Sequence, residues 1–453
     1  MSINPKKFGA LLAIVAAVGI AVASTAGAAR QSTPGVTSKS ITIGSTFPLT
    51  EKPNVTGGAS LYKTIAAAEL AYYGYVNAHG GVNHRKIVDI VKNDQYDPSE
   101  TVPEVKTLVE SNHVFAIVGS LGTVPGIATM GYLNSHQVPQ VLLASGDAFW
   151  GLCSETGKAF KPIPHVCTSP QPWTMGWQPD YNGEGYLYGK YLLAHKTNPK
   201  IGVLYQNDAY GQNYLAGFEK GLGSHKSDIV HTEAYASGET PGDISTRVQQ
   251  IYAHGADVLM IFATPGSSIA ALATASAIPH WSPMIFLNNV SANRLFMLAA
   301  EDPKNGGANV NGVISSTYVK SQTATPSDKA IELAKSILHK YNTGAFGGPG
   351  ALDSDFNVGD LNLIYGLGVA WTFVDALKHA GTNPTRASFM HALRTLNESG
   401  ANKNPFLFPG MTVKTSKTNT FPMQQLNLEQ WKGQTAHAPG DWRRVGGIVN
   451  IGS

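Results

Sequence analysis

The chain has 453 residues, of which 43% are apolar and only 14% charged, with a formal net charge of +3. That length suggests two or three compact units, and the apolar share is ample for a sizeable core. So small a charge, with no basic stripe, argues against a nucleic-acid-binding surface.

Residues 1 to 28 read as a secretory signal. Lys6 and Lys7 precede an apolar stretch from Phe8 to Ala23, and the small residues Ala26, Gly27 and Ala28 stand before Ala29. The apolar run falls short of the roughly 20 residues a membrane span needs, so cleavage near Ala28 is expected rather than anchoring. No cysteine follows it to carry a lipid, and a secreted or periplasmic protein is the expectation. Residues 29–39 form a polar linker.

From residue 40 short apolar runs alternate with longer helical stretches. The first strand candidates are SITIGSTF (40 to 47), KIVDIV (86 to 91), FAIVG (115 to 119) and PQVLLAS (139 to 145). A helix is predicted over 62 to 80, and Asp94 and Asp97-Pro98 read as a cap for the helix that follows the second strand. A second series runs KIGVLYQ (200 to 206), DIVHTEAY (228 to 235), ADVLMIFA (256 to 263), SPMIFLN (282 to 288) and GVISSTYV (312 to 319). Between its members lie helices such as 246 to 255, closed by Gly255. Strands alternating with helices imply parallel sheets covered on both faces, and two series imply two α/β lobes.

The stretch FAIVGSLGTVPGIATM, 115 to 130, runs from a strand into glycines and hydroxyls and then into a helix. Ser120, Gly122 and Thr123 there offer small donors and open backbone N–H groups at a helix N-terminus, a place that suits an anion. The spacing is not G-x-G-x-x-G, and no G-x-x-x-x-G-K-[ST] loop exists, which disfavours nucleotide phosphate. A simple capped helix after a strand is the alternative.

The aromatic-rich insert 149 to 181 interrupts the alternation, and its prolines and glycines argue against regular structure. Trp150, Trp173 and Trp177 either stack on a flat ligand or pack the loop onto a lobe. Cys153 and Cys167 are the only cysteines. In an oxidising compartment they read as a disulfide, with two free thiols as the alternative. Closing so short a loop contributes about 3 kcal/mol at most.

No catalytic residue and no cofactor are expected. The fourteen histidines form no H-E-x-x-H or similar metal spacing, and there is no G-x-S-x-G elbow to favour the alternative of a secreted hydrolase.

Several ordered stretches carry a family resemblance: ITIGSTFPLT, YVNAHGGVNHRKIVDIVKNDQYDP, FAIVGSLGT, VPQVLLAS, NDAYGQNYLAGF and DISTRVQQIYAHGADVLMIFATPGSSIAALATA. Over residues 40 to 430 the chain resembles the type I periplasmic solute-binding proteins of the branched-chain amino acid group (Leu/Ile/Val-binding protein-like) that serve ABC importers. The resemblance implies two Rossmann-like lobes joined by three crossover segments, with a ligand cleft between them. Lobe 1 would comprise 40–166 and 318–410, and lobe 2 would comprise 167–317 and 411–453. Its implied partners are a small-molecule solute and ABC permease subunits, without nucleic acid, and the protein is expected as a monomer.

The resemblance also implies site residues. Thr123 and the strand end Ala144, Ser145 and Gly146 correspond to positions that hold a ligand carboxylate in amino-acid-binding relatives. Tyr210 and Thr264 correspond to contact positions in the second lobe. Amino-acid binders commonly place a glutamate near Asn289 to pair the ammonium, and its replacement here forfeits a charge-assisted bond of roughly 1.5 to 3 kcal/mol. A carboxylate, amide or neutral polar solute captured by hinge closure fits these residues at least as well as an amino acid. A ligand sensor of the same fold is the alternative role.

Overall fold

Runs of uninterrupted apolar residues become the interior strands of two sheets, and the half-apolar runs become their edges. The computed structural model describes residues 33–52, 58–151, 170–302, 308–321, 328–341, 360–416, 419–435, 438 and 440–451. The signal stretch 1–28 and both cysteines, Cys153 and Cys167, lie outside the described residues.

The first sheet contains β1 (Ser40–Phe47), β2 (Lys86–Asn93), β3 (Ile117–Val118), β4 (Gln140–Leu143) and β5 (Thr174–Gly176), in the parallel order β2-β1-β3-β4-β5. Helices α1 (Lys63–Ala78), α2 (Pro98–Lys106) and α3 (Thr123–Ser135) connect these strands. β3 and β4 are buried at every position, whereas β2 at the edge is half exposed. That contrast is what a strand covered on both faces requires and an edge strand does not.

The chain then enters the second lobe through α4 (Tyr181–His195). There β6 (Ile201–Gln206), β7 (Ile229–Tyr235), β8 (Val258–Phe262), β9 (Met284–Leu287) and β10 (Ile314–Thr317) alternate with α5 (Ala209–Leu222), α6 (Pro241–Ala253), α7 (Pro265–Ala277) and α8 (Arg294–Glu301). It returns to the first lobe with α9 (Lys329–Tyr341), α10 (Leu361–His379) and α11 (Arg386–Leu393), where α9 and α10 pack on α1. A hairpin of β11 (Asn397–Glu398) and β12 (Val413–Lys414) follows. Finally β13 (Gln425–Lys432) and β14 (Asp441–Asn450) extend the second sheet, giving the order β14-β13-β10-β9-β8-β6-β7.

Nine of the strand candidates correspond to β1–β4 and β6–β10, with most ends drawn in by one or two residues. Two features differ from the expectation. β13 and β14 run antiparallel, because they join the sheet by a hairpin rather than through a crossover helix. The insert 149 to 181 holds β5, whose three residues pair with β4 despite the flanking prolines. β5 keeps the chain on the first sheet as far as Gly176.

The insert's tryptophans pack inward. Trp177 is fully buried, donates to Thr372 Oγ1 at 2.9 Å and meets the Tyr365 ring edge-on at 5.0 Å. Trp150 is buried beneath Ser145, and Trp173 packs partly buried against the core. Among the described residues no helix is long and apolar enough to cross a membrane.

Candidate functional site

Where the parallel strands end, the loops leaving the two sheets face one another across a cavity. The first lobe supplies Tyr96 after β2, Leu121, Gly122 and Thr123 after β3, and Ala144 after β4. Gln178 and Tyr181 come from the passage after β5. The second lobe supplies Tyr210 after β6, Thr264 after β8, Val290 after β9 and Tyr318 after β10. Tyr62 and Ile65, at the start of α1, and Asn362 and Tyr365, on α10, complete the wall.

Six of these residues are tyrosines, and among the described residues no Asp, Glu, Lys or Arg lines the cavity. Burial raises the hydroxyl pKa of Tyr62, Tyr96, Tyr181, Tyr210, Tyr318 and Tyr365. All six therefore stay neutral and keep their protons at physiological pH.

Several of the wall hydroxyls already accept a bond from behind, which turns their own protons outward. Asn288 donates its amide to the Tyr210 hydroxyl, and the Asn288 oxygen is fixed by Ala263 N at 3.3 Å. Gln178 donates to the Tyr181 hydroxyl at 3.3 Å and accepts from Tyr365 at 2.9 Å. Trp150 Nε1, a donor only, reaches Ser145 Oγ at 3.0 Å, and Asp147 N approaches the same oxygen at 3.4 Å. With its acceptor capacity filled, Ser145 gives its proton to Thr123 Oγ1, 2.6 Å away. The Thr123 proton is then free for the cavity.

The backbone adds to this donor surface. The helices α2, α4, α5, α6, α8, α10 and α11 each have a side-chain N-cap, from Asp97, Asp180, Asp208, Thr240, Asn293, Asp360 and Thr385. Two helices that begin beside lining residues of the cavity, α3 after Gly122 and α7 after Thr264, have none. Their first N–H groups and positive dipole ends remain available to an acceptor. Gly122 has φ 110°, and a Cβ there would stand 2.6 Å from the Tyr96 ring. Its missing side chain lets Tyr96 close over the start of α3. Asp94 holds that loop by accepting from Tyr96 N at 3.1 Å and Thr101 Oγ1 at 3.0 Å, while Asp97 makes the cap.

Of the residues singled out from the sequence, Thr123, Ala144, Tyr210 and Thr264 line the cavity together. Ser145 lies one layer behind, fully buried, as the hydroxyl that orients Thr123. Gly146 accepts from Tyr181 N at 2.7 Å and so positions a wall residue. Asn289 belongs to an adjoining chamber, and both its backbone and side-chain N–H groups donate to Glu184. Glu184 also accepts from Tyr188 at 2.6 Å and Tyr214 at 2.9 Å, and burial pushes its carboxyl up to about 7.

Sequence reasoning passed over Tyr62, Tyr96, Gln178, Tyr181, Tyr318, Asn362 and Tyr365. A signal existed for Tyr96 and Tyr318, which stand just beyond strand ends, where ligands of parallel sheets gather. Tyr62, Asn362 and Tyr365 come from helices distant in the chain and carry no local mark.

The lobes touch around the cavity. Tyr62 donates to Val290 O at 3.0 Å, Asn213 to Asp147 at 2.9 Å, and Asn293 to Asp360 at 2.6 Å. Two α/β lobes meeting over a cavity at the carboxyl ends of their parallel strands have the arrangement of a solute-binding protein. The chain belongs to the periplasmic binding protein family, whose sequence profile matches residues 40–436.

Solved structures agree on the fold. One is a branched chain amino acid ABC transporter protein from Thermus thermophilus with bound valine, 15% identical with a TM-score of 0.72, covering 92% of this chain and 97% of that one. Another is a solute binding protein of an ABC transporter from Rhodopseudomonas palustris BisB5 in complex with 3,4-dihydroxy benzoic acid, 15% identical, TM-score 0.67, covering 91% and 98%. A third is a fatty acid ABC transporter substrate-binding protein from Thermomonospora curvata, 19% identical, TM-score 0.67, covering 93% and 95%. No curated protein matches the chain at a significant level.

Proposed function

We propose that this protein is the extracytoplasmic substrate-binding component of an ABC importer, and that its solute is a small carboxylate with an aromatic or apolar body. The observation that carries the reading is the wall of the cavity: hydroxyl and backbone donors on a tyrosine surface, with no charged side chain among the described lining residues. Donors without a counter-acid suit an anion or a neutral acceptor, and leave an α-ammonium without a partner. The aromatic rings supply apolar area for the body of the solute. Two proteins of similar fold, one in complex with 3,4-dihydroxy benzoic acid and one from a fatty acid transporter, are named for carboxylic acids.

Capture would proceed by hinge closure without chemistry. A solute touching both lobes favours the closed form by its differential affinity, and the closed pair presents a composite face to the permease. The test is thermal unfolding of ligand-free protein with benzoate, 4-hydroxybenzoate, phenylacetate, octanoate, leucine and valine. Saturating binding at about 100 times Kd adds about 2.7 kcal/mol, which raises Tm by several degrees. Shifts with the acids and none with the amino acids support the reading; shifts with leucine or valine alone overturn it.

A further inference from the structure

Beside the cavity lies a second chamber that shares Val290, Tyr318, Asn362 and Tyr365 with it as a common wall. The rest of its wall includes Asn289, Asn293, Ser316 and Thr317, and again no charged side chain lines it among the described residues. It differs from the first chamber in presenting side-chain amides and small hydroxyls in place of most of the tyrosine rings. Asn289 gives one side-chain N–H to Glu184, Asn293 gives one to Asp360, and Asn362 Nδ2 donates to Leu61 O at 3.2 Å. Thr317 donates to Val319 O at 3.2 Å. The amides of Asn289 and Asn362 keep their oxygens and a second N–H each, and the Thr317 hydroxyl keeps its acceptor capacity, so the chamber offers neutral acceptors and donors together.

A donor-lined, aromatic chamber thus adjoins a neutral chamber lined by amides and hydroxyls. Resting on the carboxylate reading above, we propose that the solute is a two-part molecule. Its carboxylate-bearing ring occupies the tyrosine chamber, and a neutral hydroxyl-rich extension of the sugar or polyol class donates to Asn289, Asn362 and Thr317 in the second. A cationic extension is disfavoured, since Glu184 is fully buried behind Asn289 and already accepts four donors.

The experiment is titration calorimetry of the ligand-free full chain with 4-hydroxybenzoate and with 4-carboxyphenyl β-glucoside, which adds only the sugar. The glucoside should bind at least about tenfold tighter. Leu361→Phe, at a half-buried position lining only the second chamber, and Thr317→Val, which removes the acceptor, should each erase that advantage. Both variants should leave 4-hydroxybenzoate within about twofold. If 4-hydroxybenzoate binds as tightly as the glucoside or tighter, the extension is overturned while the carboxylate reading stands. If both variants weaken both compounds equally, the extension is likewise overturned, and if neither compound binds, both readings fall.

Discussion

The Tyr62 hydroxyl, at the start of α1 in the first lobe, donates to the carbonyl of Val290 in the second at 3.0 Å, and both residues line the solute cavity. Closure and occupancy therefore share the same atoms. Val290 is in turn held by its neighbour Asn289, whose turn is pinned by two bonds to Glu184.

Tyr62→Phe removes this cross-lobe bond and little else, because the ring keeps its edge contact with Phe296 at 6.5 Å. A single neutral hydrogen bond contributes about 0.5–1.5 kcal/mol, so solute affinity should fall about fivefold. The loss should lie mainly in a faster dissociation rate, read by stopped-flow fluorescence. An unchanged dissociation rate would contradict the latch.

Thr123→Val keeps the shape and removes the proton that Ser145 directs into the cavity. A hydrogen bond to a charged acceptor contributes about 1.5–3 kcal/mol, so the affinity for a carboxylate probe should drop by tenfold or more. The matching primary amide should lose less. Calorimetry with benzoate and benzamide reads the difference, and equal losses would argue against carboxylate at this position.

Gly122→Ala places a Cβ 2.6 Å from the Tyr96 ring on a backbone at φ 110°. Left-handed strain costs about 1–2 kcal/mol before the clash is counted. The expected outcome is a Tm lower by several degrees together with weakened binding, whereas Gly131→Ala, where a Cβ meets nothing within 4 Å, should leave binding intact.

Stability should fall as pH rises from about 5 to 8. Burial raises Asp94 to about 6, Asp89 and Glu184 to about 7 and Glu398 to about 8. In the unfolded chain these groups lose their protons near pH 4, so across this window the folded state binds more protons and stability declines with pH. Below this window the opposite sign takes over, because Glu239 and Asp243 are held low by their hydrogen bonds to Arg247 and Thr240. Differential scanning calorimetry should place the highest Tm near pH 5; a rise between pH 6 and 8 would contradict the burial of these carboxyls.

The alternation of apolar runs with helical spacing fixed two parallel α/β lobes, since a continuous apolar strand has nowhere to go but the middle of a covered sheet. The same local logic marked Thr123, where a strand runs into a helix, while Ala144, Tyr210 and Thr264 followed from the family resemblance. It said nothing of β13 and β14, whose place beside β10 depends on a partner more than a hundred residues earlier in the chain. Nor did it find the tyrosine wall: Tyr62, Tyr318 and Tyr365 lie far apart in sequence and meet only when α10 packs on α1 and the lobes close. The polarity of the site was decided at that level too. Whether Thr123 or Tyr210 donates or accepts depends on Trp150, Ser145 and Asn288 behind them, and hydrogen-bond direction belongs to the assembled network and not to any one residue.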